Sequence, residues 1–176
     1  GTRDAAVTLA RNERDMAGGP PLRIWLETHP KVKLVTHAEA AAHGELVINA
    51  LSGQGAVEGL QSAAKALAGK ILIDISNPLD FSRGFPPTLT VANTDSLGEQ
   101  IQRALPDVRV VKTLNTVTAA LMVEPASIAE HTMLVCGDDA AAKAEVTRLL
   151  QSFGWKDVID LGFGNPDLPS PDIAVE

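Results

Sequence analysis

Gly53-Gln-Gly55, with Gly59 behind it, is the clearest phosphate-type signal in the chain. It follows an apolar run and opens a helical pattern, and a Gly-x-Gly start lets backbone N–H groups approach a pyrophosphate at a helix N-terminus. An acidic residue, Asp74, follows at about the 20-residue spacing of a dinucleotide fingerprint. Against that reading, the third glycine falls late, and Asp74 is placed inside its strand, away from the carboxyl end where a ribose contact has to be. The plainer reading is a helix entry with close packing.

Ligands of a doubly wound sheet bind at the carboxyl ends of its strands, so the residues following each apolar run are the next to weigh. They are Thr2-Arg3, Ser52-Gly53, Asn77-Pro78 and Asn115-Thr116. They offer hydrogen-bond donors or a close backbone approach, and no evident nucleophile or general base. That describes a binding crevice rather than a hydrolase. Asn77-Pro78 also reads as a turn pair, and Asn115 as a strand cap. His29, His37, His43 and His131 form no pair at metal-ligand spacing on a helix face, so no metal site is expected. Cys136 reads as a buried small hydrophobe, and Trp25 and Trp155 as packing residues at helix-sheet edges.

The elements that must position these residues are legible in the pattern. Candidate strands are Val32 to Thr36, Glu45 to Leu51, Lys70 to Ser76, Val108 to Thr113, His131 to Cys136 and Val158 to Leu161. Two of them, Lys70-Ile-Leu-Ile-Asp-Ile-Ser76 and Glu45-Leu-Val-Ile-Asn-Ala-Leu51, are nearly continuous apolar runs, as expected of strands buried on both faces. Ala-rich helical segments lie between them. Ala56 to Ala68 repeats apolar residues at helical spacing and meets Gly69 as a terminator. Ser96-Leu-Gly-Glu99 reads as a capping box for a helix that Pro106 ends, and Asp138 or Asp139 caps a third. Alternating strands and helices predict an α/β fold: a Rossmann-like, doubly wound, mostly parallel sheet with helices on both faces. It spans residues 1–162, incomplete at the N-terminus, with 163–176 as a Pro-rich tail.

The chain has 176 residues, 45% apolar and 21% charged, which excludes disordered and collagen-like classes. A net charge of −7 offers no general attraction to nucleic acid or an anionic membrane, so an anionic ligand must be held locally. No apolar stretch approaches the roughly 18 residues of a spanning helix, and no signal peptide opens the chain. A single cysteine fits a reducing cytoplasm. Tyrosine is absent, which excludes Tyr/Lys dehydrogenase chemistry.

In combination, Gly1-Thr-Arg-Asp4, Ile73-Asp-Ile-Ser-Asn-Pro-Leu79, Asn93-Thr-Asp-Ser-Leu-Gly-Glu-Gln100, Val110-Val-Lys-Thr-Leu-Asn-Thr116 and Val135-Cys-Gly-Asp-Asp139 resemble the coenzyme F420-dependent NADP oxidoreductase family. The resemblance implies an enzyme passing hydride between NADP and the deazaflavin F420. It places Thr2 and Arg3 on the 2′-phosphate of NADP, which suits a guanidinium able to grip phosphate through two hydrogen bonds. Ala50, Leu51 and Ser52 would lie along the ribose and nicotinamide, Asn77 and Pro78 would approach the nicotinamide, and Asn115 with Thr116 would edge the acceptor pocket. The family's first strand and glycine loop would precede Gly1, and its further helical part would follow Gly162. Relatives in the family are often dimers. The alternatives are a reductase of the same fold with a flavin, metal or pyrroline-carboxylate acceptor, and a non-catalytic nucleotide-binding or structural module.

Overall fold

The structure, a computed structural model, describes residues 20–128 and 131–162. At its centre the strand β2 (Ile71–Asp74) is buried along its whole length. Ile71 and Ile73 join one hydrophobic core and Leu72 the other, so both faces of the strand need apolar side chains. Parallel strands β1 (Leu46–Asn49) and β5 (Arg109–Thr113) flank it. Beyond β5 the sheet reverses: β6 (Thr132–Cys136) pairs antiparallel to β5, and β7 (Asp157–Asp160) runs parallel to β6. The order is β1-β2-β5-β6-β7, and a separate hairpin joins β3 (Leu79–Asp80) to β4 (Thr88–Leu89). The sheet is therefore mostly parallel, with an antiparallel step where the chain returns.

Helices cover both faces. On one side α2 (His37–His43), α3 (Gly53–Gln61), α4 (Ala64–Leu67) and α5 (Leu97–Ala104) supply Ala41, Ala56, Leu60, Leu67, Leu97 and Ile101 to the first core. On the other, Ala142, Val146 and Leu150 of α7 (Ala140–Phe153) meet Met133, Val135 and Trp155 in the second. Two short helices, α1 (Leu22–Thr28) and α6 (Ala119–Met122), contribute no buried residue.

Several expectations need correction. Val32–Thr36 enters no strand among the described residues; it runs without regular structure into α2, where Thr36 and Glu39 form a capping box. The helix expected over Ala56–Ala68 starts earlier, at Gly53, and breaks at Ser62 and Ala63 into α3 and α4. Gly69 does follow it with φ +75°, a conformation that glycine adopts without penalty. At Ser96 the side chain accepts the Glu99 N–H, but the Ser96 N–H goes to the Asp95 carboxylate rather than back to Glu99. Trp25 stacks on His29 of its own helix end, at 3.9 Å between ring centroids, instead of on the sheet.

Of the two aspartates before α7, Asp139 is the cap: its Oδ1 accepts the Ala142 N–H at 2.7 Å. Asp139→Ala leaves that donor without its side-chain partner and is expected to cost about 1 kcal/mol. In urea unfolding this appears as a lowered midpoint with an unchanged slope; an unaltered midpoint would show that solvent replaces the cap.

Candidate functional site

A cleft of about 570 Å³ opens at the carboxyl ends of β1 and β2. Ala50, Leu51 and Ser52 form one wall, Ile75, Ser76 and Asn77 the next, and Leu79 through Ser82 of the hairpin the third. Gln54, on the first turn of α3, closes the corner. Parallel strands bring these loops to one edge because each strand must return through a helix before the next begins.

Of the residues singled out from sequence, Ala50, Leu51, Ser52 and Asn77 line this cleft. Pro78 is buried behind it, against the start of α3. Asn115 is buried and joined to Asn77 by a reciprocal pair: Asn77 Nδ2 donates to the Asn115 carbonyl at 2.9 Å, and Asn115 Nδ2 to Asn77 Oδ1 at 3.1 Å. Leu114 takes φ +64°, a costly conformation for a leucine, and turns Asn115 toward that partner. Thr116 is exposed and is not part of the cleft wall. Thr2 and Arg3 lie outside the described residues. The hairpin residues Asp80, Phe81 and Ser82 had no sequence signal beyond their position after β2. Asp80 accepts the Ser82 N–H at 2.8 Å and the Ser82 hydroxyl at 3.0 Å, and these bonds hold its carboxyl below the usual carboxylate range. The turn they close leaves Phe81 exposed at the cleft rim.

Gly53 serves as close packing. A Cβ there would fall 2.3 Å from the Asn77 carbonyl oxygen and 2.6 Å from Pro78 Cα, so the helix start abuts the neighbouring loop directly. Gly55 faces open space and Gly59 packs under Leu51. Asp74 is the last residue of β2 rather than an interior one, but it is fully buried and ion-paired to Lys112 at 3.1 Å, which leaves no carboxylate for a ribose.

The cleft lining mixes apolar side chains, Leu51, Ile75, Leu79 and Phe81, with polar ones, Ser52, Gln54, Ser76, Asn77, Asp80 and Ser82. Ser52 makes no side-chain capping bond to α3, so its hydroxyl remains available to a ligand. The lining carries one carboxylate, Asp80, whose two bonds from Ser82 favour its charged form. Among the described residues no cluster of three or more His, Cys, Asp or Glu side chains is arranged to hold a metal ion, and Cys136 is buried. No helix among them is long and apolar enough to cross a membrane.

No protein-family model matches the chain. Among curated proteins, the F420-dependent NADP reductase of Methanocaldococcus jannaschii is 30% identical over 171 residues, covering 89% of this chain and 77% of that protein. The F420-dependent NADP reductase of Methanothermobacter marburgensis is 29% identical over 167 residues, covering 92% and 71%. Among solved structures, that of a candidate F420-dependent NADP-reductase from Arthrobacter sp. FB24 is 56% identical, with a TM-score of 0.83 over 92% of this chain and 72% of that one.

Proposed function

The chain belongs to the F420-dependent NADP reductase family, and from that premise we infer that the cleft between Ser52 and Asn77 holds the ribose and nicotinamide of NADP with a deazaflavin acceptor beside them. The protein is an NADP-dependent oxidoreductase. The observation that carries the placement is the cleft at the carboxyl ends of β1 and β2, where the loops after both strands and the hairpin meet and Asp80 is the one carboxylate in the lining. Hydride transfer asks little else of the protein than two rings held face to face, the hydride passing between the two cofactors themselves.

The residues divide by task. Thr2 and Arg3 take the 2′-phosphate. Ala50, Leu51 and Ser52 run along the ribose and nicotinamide, with Asn77 and the buried Pro78 behind the ring. Asn115, locked to Asn77, and the exposed Thr116 border the acceptor. The chemistry belongs in a reducing cytoplasm, in keeping with a lone buried cysteine. A homodimer is supported by the exposed Ile159 and Leu161 at the outer strand β7, apolar surface that a second copy would cover.

Calorimetric titration with NADPH and, separately, NADH tests this reading. NADPH is expected to bind and NADH to bind weakly. Arg3→Ala is expected to remove roughly 10- to 100-fold of NADPH affinity and leave NADH unchanged, since a charge-assisted hydrogen bond contributes about 1.5–3 kcal/mol. Equal affinity for both nucleotides, indifferent to the substitution, contradicts the role of Arg3.

A further inference from the structure

Beneath the cleft lies a charged cluster that the ligand cannot reach. Asp74 and Lys112 both have fully buried side chains, on neighbouring strands, and pair at 3.1 Å. Lys112 Nζ also donates to the Ser76 carbonyl. Asp74 Oδ1 accepts from the Ser76 N–H at 3.2 Å, the Ser76 hydroxyl at 2.6 Å and Asn49 Nδ2 at 2.6 Å. Asn49, 2% exposed, gives a further bond from Nδ2 to the Ser76 hydroxyl at 3.3 Å, and its Oδ1 accepts the Leu51 N–H at 3.2 Å. Every one of these bonds ends on Ser76 or Leu51 or on a group that holds them.

A buried ion pair contributes little to net stability compared with apolar residues of the same size, because desolvation offsets the attraction. Its value here is directional. Apolar side chains at positions 74 and 112 would fill the same space, yet they would leave the backbone of Ser76 and Leu51 free to choose among several orientations. Charged hydrogen bonds admit only one. We propose that Lys112, Asp74 and Asn49 are positioning residues: a buried clamp that sets the backbone orientation of both cleft walls, residues 50–52 and 75–77, and through them the placement of the nicotinamide. The loop half of this inference stands on the geometry alone, and the catalytic half rests on the proposed function.

The test uses the full chain carrying Lys112→Met with Asp74→Leu, which removes both charges together, and a milder Asn49→Ala chain that keeps the ion pair. Amide hydrogen exchange is read first, with no nucleotide present. In the double variant exchange at Leu51, Ser76 and Asn77 is expected to quicken about 10-fold or more while Leu72 and Val111 stay protected, as local loosening requires. In Asn49→Ala the gain is confined to Leu51 and its neighbours. Turnover with NADPH and F420 is then expected to lose about 10- to 100-fold in kcat with an NADPH Kd within about 3-fold of the parent, because a displacement near 1 Å can cost about 100-fold in rate. Unchanged loop exchange in both variants overturns the clamp, as does parental kcat where exchange has quickened. Should the double variant fail to fold, unchanged Leu51 exchange in Asn49→Ala overturns it alone. Absence of turnover in the parent chain counts against the functional reading and leaves the exchange result to decide the clamp.

Discussion

Trp155→Ala is expected to destabilise the fold by about 3–5 kcal/mol, the range for emptying a buried aromatic site. Trp155 is 1% exposed and is the largest fully buried side chain of the second core, reached by the chain just after α7. Three contacts fix it. Its Nε1 donates to the Met122 carbonyl at 3.0 Å, its ring meets His131 edge-on at 5.0 Å, and its N–H closes the end of α7 on the Leu150 carbonyl at 3.2 Å. Alanine keeps only the last of these. The loss combines a cavity with a carbonyl deprived of its partner, and the two add in the same direction. For a domain of this size the melting temperature should fall by roughly 6–20 °C, from about 2–4 °C per kcal/mol. Circular dichroism is the suitable probe, since the substitution removes a fluorophore. A fall corresponding to less than about 1 kcal/mol would mean that α6 and the loop after β5 collapse into the space. The size of the effect bears on the cleft, because the core that Trp155 fills also holds Ile73 and Val111 of the parallel strands.

What sequence made legible follows the physics of each element. The run Lys70 to Ser76 announced β2 because a strand covered on both faces has no room for alternation, and Ser96 and Asp139 announced helix starts because a cap is local chemistry. Val32–Thr36 has the composition of a strand and forms none, because a strand needs a ladder partner, which five residues cannot reveal about themselves. Nor could sequence show that β6 runs against β5. Direction depends on how the chain returns between Thr113 and Thr132, and there it uses the short helix α6 and a 3₁₀ turn at Pro125–Ser127 in place of a full crossover helix. The cleft was legible as a set of loops following strands. Its closure was not. Lys112 and Asp74 are 38 positions apart, as are Asn77 and Asn115, so each pairing appears only when β5 is laid beside β2. The hairpin wall was hidden for a related reason: β3 and β4 have two residues each, too few for any period.

Gly53→Ala and Gly55→Ala separate the two readings of the glycine motif. At Gly53 an added methyl would lie 2.3 Å from one backbone atom of Asn77, 2.7 Å from another and 2.6 Å from Pro78 Cα, none of which can swing aside as a side-chain tip can. Either α3 or the loop at 77–78 must shift, and both are cleft walls. Overpacking of this kind costs about 1–3 kcal/mol, against which the better helix propensity of alanine returns at most about 1 kcal/mol. Stability therefore falls only modestly. Function should fall further, because relief of the clash widens the gap between Ser52 and Asn77: turnover with NADPH and F420 is expected to drop about 100-fold while the melting temperature moves by a few degrees, about 2–4 °C per kcal/mol. At Gly55 the same methyl meets nothing within 4 Å, and its φ is not in the left-handed region. There alanine should raise stability by up to about 1 kcal/mol and leave nucleotide binding intact. A pyrophosphate fingerprint makes the opposite forecast, since backbone N–H groups gripping a diphosphate need both glycines bare. Loss of NADPH affinity in Gly55→Ala, measured by the same titration, would therefore move the pyrophosphate to the start of α3. Retained affinity there, with loss in Gly53→Ala, makes the motif a packing device whose one indispensable glycine sets the distance between two walls of the cleft.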